Sequence, residues 1–176
     1  ASDKTGFSDL WMDPRDPKVM YAAAHQRRRH VWTYLSGGPE SAIYKTIDGG
    51  ANWRKVMSGL PKSDLGRIAL AIAPTNPDIV YAMVEGYDNK HGGFYKSENM
   101  GESWNRQSDY FTSGNYYVEL VPDPNNPEKI FSMDTWLHHT ENGGKKFNRT
   151  GEKSKHVDNH AMWIDPNNTN HWFIIF

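Results

Sequence analysis

The chain contains no cysteine, which excludes disulfides and thiolate metal sites and suits both the cytosol and bacterial secretion. Neither charge dominates. Twenty Lys and Arg stand against 21 Asp and Glu, for a formal charge of −1. That balance, with a pI near 6.8, gives no global attraction to nucleic acid or to an anionic membrane. No apolar run approaches the ~18 residues that a spanning helix needs, so no membrane insertion is expected. No signal peptide is visible, and the start "ASDKTGFSDLWMDP" reads as a cut into an ongoing repeat or a processed end. G-x-S-x-G and P-loop patterns are also missing. With cysteine absent as well, α/β-hydrolases, thiol proteases and NTPases are unsupported. What the chain has in quantity is rings: aromatics make up 13% of a sequence that is only 37% hydrophobic, with seven Trp and nine Tyr. Large rings on a polar average suit short strands whose side chains fill gaps between sheets.

Two units alternate along the chain. The first appears as "LWMDPRDPKVMYAA" from Leu10, "LAIAPTNPDIVYAM" from Leu70, "LVPDPNNPEKIFSM" from Leu120 and "MWIDPNNTNHWFII" from Met162. Pro14, Pro74, Pro124 and Pro166 hold equivalent places, spaced by 60, 50 and 42 residues. Proline presets φ at a turn and cannot donate to a ladder, so each unit predicts strand, tight connection, strand. The second unit follows the first: "YKTIDGGANWRKV" at Tyr44, "YKSENMGESWNRQ" at Tyr95 and "HHTENGGKKFNRT" at His138. It predicts a hairpin in which glycine takes a positive φ, the Asp48 carboxylate accepts N–H groups of its own turn, and Trp53 lies on the neighbouring sheet. Together the units make four short antiparallel strands per ~40–60 residues, the size of one β-propeller blade. The predicted fold is therefore an all-β propeller of four-stranded antiparallel blades. About three and a half are expected: 8–58, 66–108, 115–150 and a half blade over 156–176. A closed propeller needs ~4–8 blades. The chain thus reads as part of a larger protein whose other blades or domains complete it, or as one of two copies that meet.

"TIDGGANW" (Thr46, Asp48, Gly50, Trp53) resembles the Asp-box of sialidase-type BNR repeats. "SENMGESW" resembles it with Ser97, Asn99, Gly101 and Trp104, and "TENGGKKF" with Thr140, Asn142, Gly144 and Phe147. Three copies at blade-like spacing carry the resemblance. The whole chain is also similar to large BNR-like propellers of the sortilin/VPS10-like group, through the segments His25 to Gly50, Leu60 to Ala82 and His156 to Asn168. That group is often secreted by bacteria and loosely called glycosyl hydrolase. The resemblance implies a structural role for the Asp-box, at the outer rim between the third and fourth strands and away from the channel. It also implies a location outside the cell or in the cell envelope.

Three other stretches could carry chemistry. His156, Asp158 and His160 alternate, so on a strand they would share one face, and innermost propeller strands line the channel. His, Asp, His is a zinc or iron ligand set, but Cα atoms two apart on a strand are ~7 Å apart and four apart ~13 Å. The row therefore reads as a polar, ligand-binding wall or as structural histidines, with no metal and no cofactor. Arg27, Arg28 and Arg29, with Trp32 and Tyr34, fall in a long insertion between the second and third strands of the first blade. They suit an acidic or sugar ligand, through guanidinium forks and ring stacking, or else form a solvated loop. Tyr110, Phe111, Tyr116 and Tyr117 read as packing between blades or as a sugar platform. Nine acids (Asp9, Asp13, Asp64, Glu85, Asp88, Asp109, Glu119, Asp134 and Asp158) offer material for a glycosidase pair, and spacing selects no two. The sequons at Asn148 and Asn167 read as chance. The expected function is recognition of carbohydrate or protein by a propeller module. The alternatives are a glycoside hydrolase related to tandem-propeller xyloglucanases, with carboxylates partly outside this chain, and a sortilin-like peptide binder.

Overall fold

Each of the four turn prolines separates two antiparallel strands, and one backbone bond closes all four connections. Asp13, Ala73, Asp123 and Asp165 donate their N–H to the carbonyls of Val19, Ile79, Lys129 and His171 at 2.9–3.0 Å. The structure, a computed structural model, describes residues 2–87, 91–112, 117–151 and 155–176. Asp88 and Tyr116 lie outside them. No helix occurs among the described residues.

The first sheet contains β1 (Thr5–Met12), β2 (Met20–His30), β3 (Thr33–Ser36), β4 (Ala42–Thr46) and β5 (Arg54–Lys55). Its path is β1-β2-β4-β5, and β3 pairs separately with the far end of β2. The second sheet is β6 (Leu65–Ile72), β7 (Val80–Gly86), β8 (Gly93–Ser97) and β9 (Asn105–Ser108), paired in chain order. The third repeats that meander with β10 (Glu119–Pro122), β11 (Ile130–Met133), β12 (Leu137–Thr140) and β13 (Asn148–Arg149). A pair, β14 (Ala161–Ile164) and β15 (Trp172–Ile175), begins a fourth. These are blades of a β-propeller, each an antiparallel meander.

The core lies between blades, not within one. In β6, Ile68, Leu70 and Ile72 pack toward the first blade with Tyr21, Ala23 and Ile43. Ala69 and Ala71 turn the other way, toward Leu120 and Ile130 of the third blade. β7 alternates likewise, with Val80, Ala82 and Val84 on one side and Tyr81 and Met83 on the other. Period-two alternation thus sends large and small residues to opposite neighbours, and both faces of the middle blade are buried. A third cluster joins Phe131, Met133 and Leu137 to Ile164 of β14. The two outer faces of the array are open: Leu10 is 62% exposed on the first blade and Phe173 60% on the last strand pair.

Truncating one of these inter-blade side chains separates the two situations. Leu70→Ala, at a site 1% exposed, is expected to lower unfolding free energy by about 2–5 kcal/mol in urea titration. Leu10→Ala should change it by less than about 0.5 kcal/mol in this chain.

Candidate functional site

Three hairpins clamp the blades with one hydrogen-bond pattern. At the first, the Thr46 hydroxyl donates to Asp48 Oδ1 at 2.7 Å and accepts the Gly50 N–H at 3.1 Å. Asp48 Oδ1 also accepts the Asn52 N–H at 2.9 Å. At the second, Ser97, Asn99 and Ser103 repeat these bonds, and at the third Thr140, Asn142 and Lys146 do. An amide oxygen replaces a carboxylate oxygen without loss of a bond, because the turn uses that group only as an acceptor. The ring that follows reaches back one blade. Trp104 Nε1 donates to the Val56 carbonyl at 2.9 Å, and Phe147 stands edge-on to Phe94 with centroids 5.1 Å apart. Gly101 has φ +79°, and a Cβ there would come within 2.9 Å of the Tyr21 ring. Trp53 departs from the expected packing on a neighbouring sheet. Its Nε1 bonds the Gly50 carbonyl of its own turn at 3.1 Å, and it is 38% exposed, because no described residue forms a blade on that side.

A cavity lies along the first strands of the three full blades. Of about 400 Å³, it is lined by Asp9 and Trp11 of β1, Arg67 of β6, Glu119 of β10 and Tyr117 just before it. Register shifts occur at the starts of β1 (Phe7/Asp9) and β6 (Leu65/Ile68). Such bulges re-aim side chains out of the simple alternation. Asp9 Oδ2 accepts the Leu70 N–H at 2.7 Å, which ties the first blade to the second. Burial pushes the Asp9 carboxyl up to about 6; the N–H groups of Leu70 and Leu10 oppose this, and the charge of Glu119 adds to it. Burial also raises Glu119, against the pull of His160. The Tyr117 ring meets the His160 ring at 4.8 Å, while its buried hydroxyl has no hydrogen-bond partner among the described residues.

The predicted site residues divide. His156, Asp158 and His160 do not share a strand face. Residues 155–160 form an irregular lead-in to β14, and Asp158 takes φ 71°, which breaks the alternation. The reason is Asn159, which is fully buried. Its side-chain amide donates to the carbonyls of Asp134 and Thr135, and its backbone N–H also donates to Asp134. The segment is thus clamped to the third blade and turns as it docks. Of the three, His160 touches a cavity residue, through the Tyr117 ring, and the charge of Asp158 also bears on Tyr117. No trio of His, Cys, Asp or Glu among the described residues is placed to share an ion. The Arg27–Arg29 stretch is strand rather than loop: Arg27, Arg28 and Arg29 pair with Ser36, Leu35 and Tyr34 across a β2–β3 hairpin. Trp32 sits in its two-residue tip, 82% exposed. This arm leaves β2 at the end opposite the Thr46 turn, which pairs with Met20. Tyr110 stacks on Phe147 at 3.9 Å, so it packs between blades.

Sequence reading missed Arg67 and Trp11 and did not choose Asp9 with Glu119. A signal was present: Asp9 and Glu119 each stand five residues before the turn proline, Pro14 or Pro124. The same place holds Ala69 before Pro74 and Ala161 before Pro166.

No family model and no curated protein matches the chain. Solved structures do. The chain is similar to a GH74 enzyme of Niastella koreensis, with TM-score 0.63 and 19% identity over 93% of this chain and 25% of that one. It is similar to YCF48 bound to D1 peptide, with TM-score 0.57 and 12% identity over 88% and 42%. An ancestral GH74 enzyme gives TM-score 0.54 and 16% identity over 92% and 26%. The likeness is one of fold, and the chain spans only a quarter to two-fifths of these proteins' lengths.

The first hairpin makes a pH-dependent prediction. Hydrogen bonds from the Asn52 N–H, the Asn52 side chain and the Thr46 hydroxyl hold Asp48 at about 2, against an ordinary 3.8. A depressed folded value means the ionised turn stabilises the fold above roughly pH 4, and that contribution is lost as pH falls toward 2. Asp48→Asn should remove this part of the acid limb while keeping the turn, as Asn99 and Asn142 do. Asp48→Ala should lower the melting temperature at pH 7. Melting curves from pH 7 to 2 read both effects, and an unchanged curve for Asp48→Ala would refute the structural role.

Proposed function

We propose that this chain is the carbohydrate-recognition part of a secreted or cell-envelope propeller protein built on Asp-box, BNR-type repeats. The observation that carries the reading is the cavity between the first strands of the blades. It sets two aromatic residues, Trp11 and Tyr117, among Asp9, Arg67 and Glu119. Sugars present apolar C–H faces and a belt of hydroxyls, and sites for them combine rings with a few placed polar groups. The likeness of the fold to GH74 enzymes supports the carbohydrate class. The open outer faces would receive further blades of the parent protein or a second copy.

A second reading, glycoside hydrolysis, has its own observation. Two carboxyl groups face one cavity, and both are raised by burial. Hydrolysis of a glycosidic bond needs one carboxyl to give a proton and a second to act as base. Asp9 would give its proton to the leaving oxygen, and Glu119 would activate water.

Titration calorimetry with a xyloglucan heptasaccharide tests both. Tyr117→Ala and Glu119→Gln are each expected to weaken binding about tenfold, or roughly 1.4 kcal/mol, without a change in melting temperature. Binding that neither variant weakens would remove the cavity from the reading. Reducing-end release that is abolished by Asp9→Asn would establish hydrolysis; binding without release leaves recognition alone.

A further inference from the structure

The β2–β3 arm has features that the cavity does not explain. Its three consecutive arginines, Arg27, Arg28 and Arg29, have no carboxylate partner among the described residues. Elsewhere Arg15 holds Asp13 and Asp78, Lys45 holds Glu102, and Lys96 holds Glu128. Arg27 and Arg29 are both exposed and stand on one face of the strand, ~7 Å apart. The rings beside them are already in place. Trp32 lies parallel to His30, with centroids 5.5 Å apart and planes at 10°, and Arg27 lies over the Tyr34 ring at 5.3 Å. Val31 at the tip is fully exposed.

The arm is also fixed to the cavity. At its base the Arg27 N–H donates to the Lys4 carbonyl at 3.1 Å. The Gly38 N–H donates to Leu65 of β6 at 3.0 Å, two residues before Arg67. The charge of Arg27 bears on both His25 and Arg67, and burial with these fields lowers His25 to about 4. Positive charge therefore extends from Arg67, which has Glu85 beside it, out to Arg27 and Arg29 on the arm. The chain as a whole is nearly neutral.

We infer that the arm is an extended subsite for an acidic polysaccharide, with Arg27 and Arg29 binding successive carboxylates of a uronate chain and Trp32 stacking on a sugar ring. The inference rests on the carbohydrate reading of the cavity and names the class of glycan. Guanidinium forks match carboxylates in two-point geometry, and an exposed indole supplies a flat apolar face for a pyranose. Positive charge leading from a cavity fits a polymer that extends out of it. A lipid surface would instead meet the tip alone.

The test uses polygalacturonate and its fully methyl-esterified form, which differ in charge, titrated onto the protein in 50 mM salt. The acid form should bind at least tenfold more tightly than the ester, and the difference should shrink as salt is raised. Arg27→Gln with Arg29→Gln should abolish that preference while leaving the ester's affinity unchanged. Trp32→Ala should weaken both polymers. These residues are exposed, so circular dichroism should match the parent protein. Equal affinity for the two polymers would overturn the acidic subsite and leave carbohydrate recognition standing. Failure of both polymers and of the neutral heptasaccharide to bind would overturn both readings. Binding to phosphatidylserine vesicles through Trp32, with no preference between the polymers, would assign the arm to a membrane instead.

Discussion

Every full blade here is apolar on both faces, so no blade can bury its own surface, and the structure depends on stacking. Burial of apolar area contributes roughly 25 cal/mol per Å², and here nearly all of it is gained between sheets. The middle blade shows the consequence. β6 sends isoleucine and leucine one way and alanine the other, and both sets are covered. The first blade and the last strand pair have only one neighbour each. Their exposed Leu10, Trp163 and Phe173 follow from that position, not from a different chemistry.

The hairpin turns serve this stacking. A hydroxyl and a side-chain carbonyl close each turn internally, which leaves the following ring free to reach the preceding blade. Trp104 and Phe147 do so, and Tyr21 in turn donates to the Met100 carbonyl at 2.8 Å. Close approach at Gly101 is what admits Tyr21. Lys45 adds a polar latch on the same seam, bonding Met100 and Glu102. The motif that stands out most in the sequence thus belongs to the joints between blades.

Stacking also builds the candidate site. Because the first strands of successive blades converge, Asp9, Arg67 and Glu119 meet across 58 and 52 residues of chain around one cavity. Asp9 is both part of that wall and a tie to β6, so the cavity and the seam between blades share a residue. The arm rises from the opposite end of β2 to the turn, where it cannot disturb the joints.

Much of the fold was legible in the sequence because its causes are local. Prolines at fixed places end strands, glycines permit the turns, and alternation in "IALAIAP" declares a strand buried on both sides. The hairpin chemistry was legible even where Asn replaces Asp. The site was not. Which acids face each other depends on bulges at Ser8 and Gly66, on the register of β1 and β6, and on how successive blades converge. The reading of 156–160 as one strand face failed for a related reason: Asn159 is held by the third blade, a contact 24–25 residues away in sequence. Sequence by itself determined the blades, because each is made of near-neighbour pairings. Only the tertiary structure decided the cavity and the exposed arm, because both arise where separate blades pack and where a strand runs past its partners.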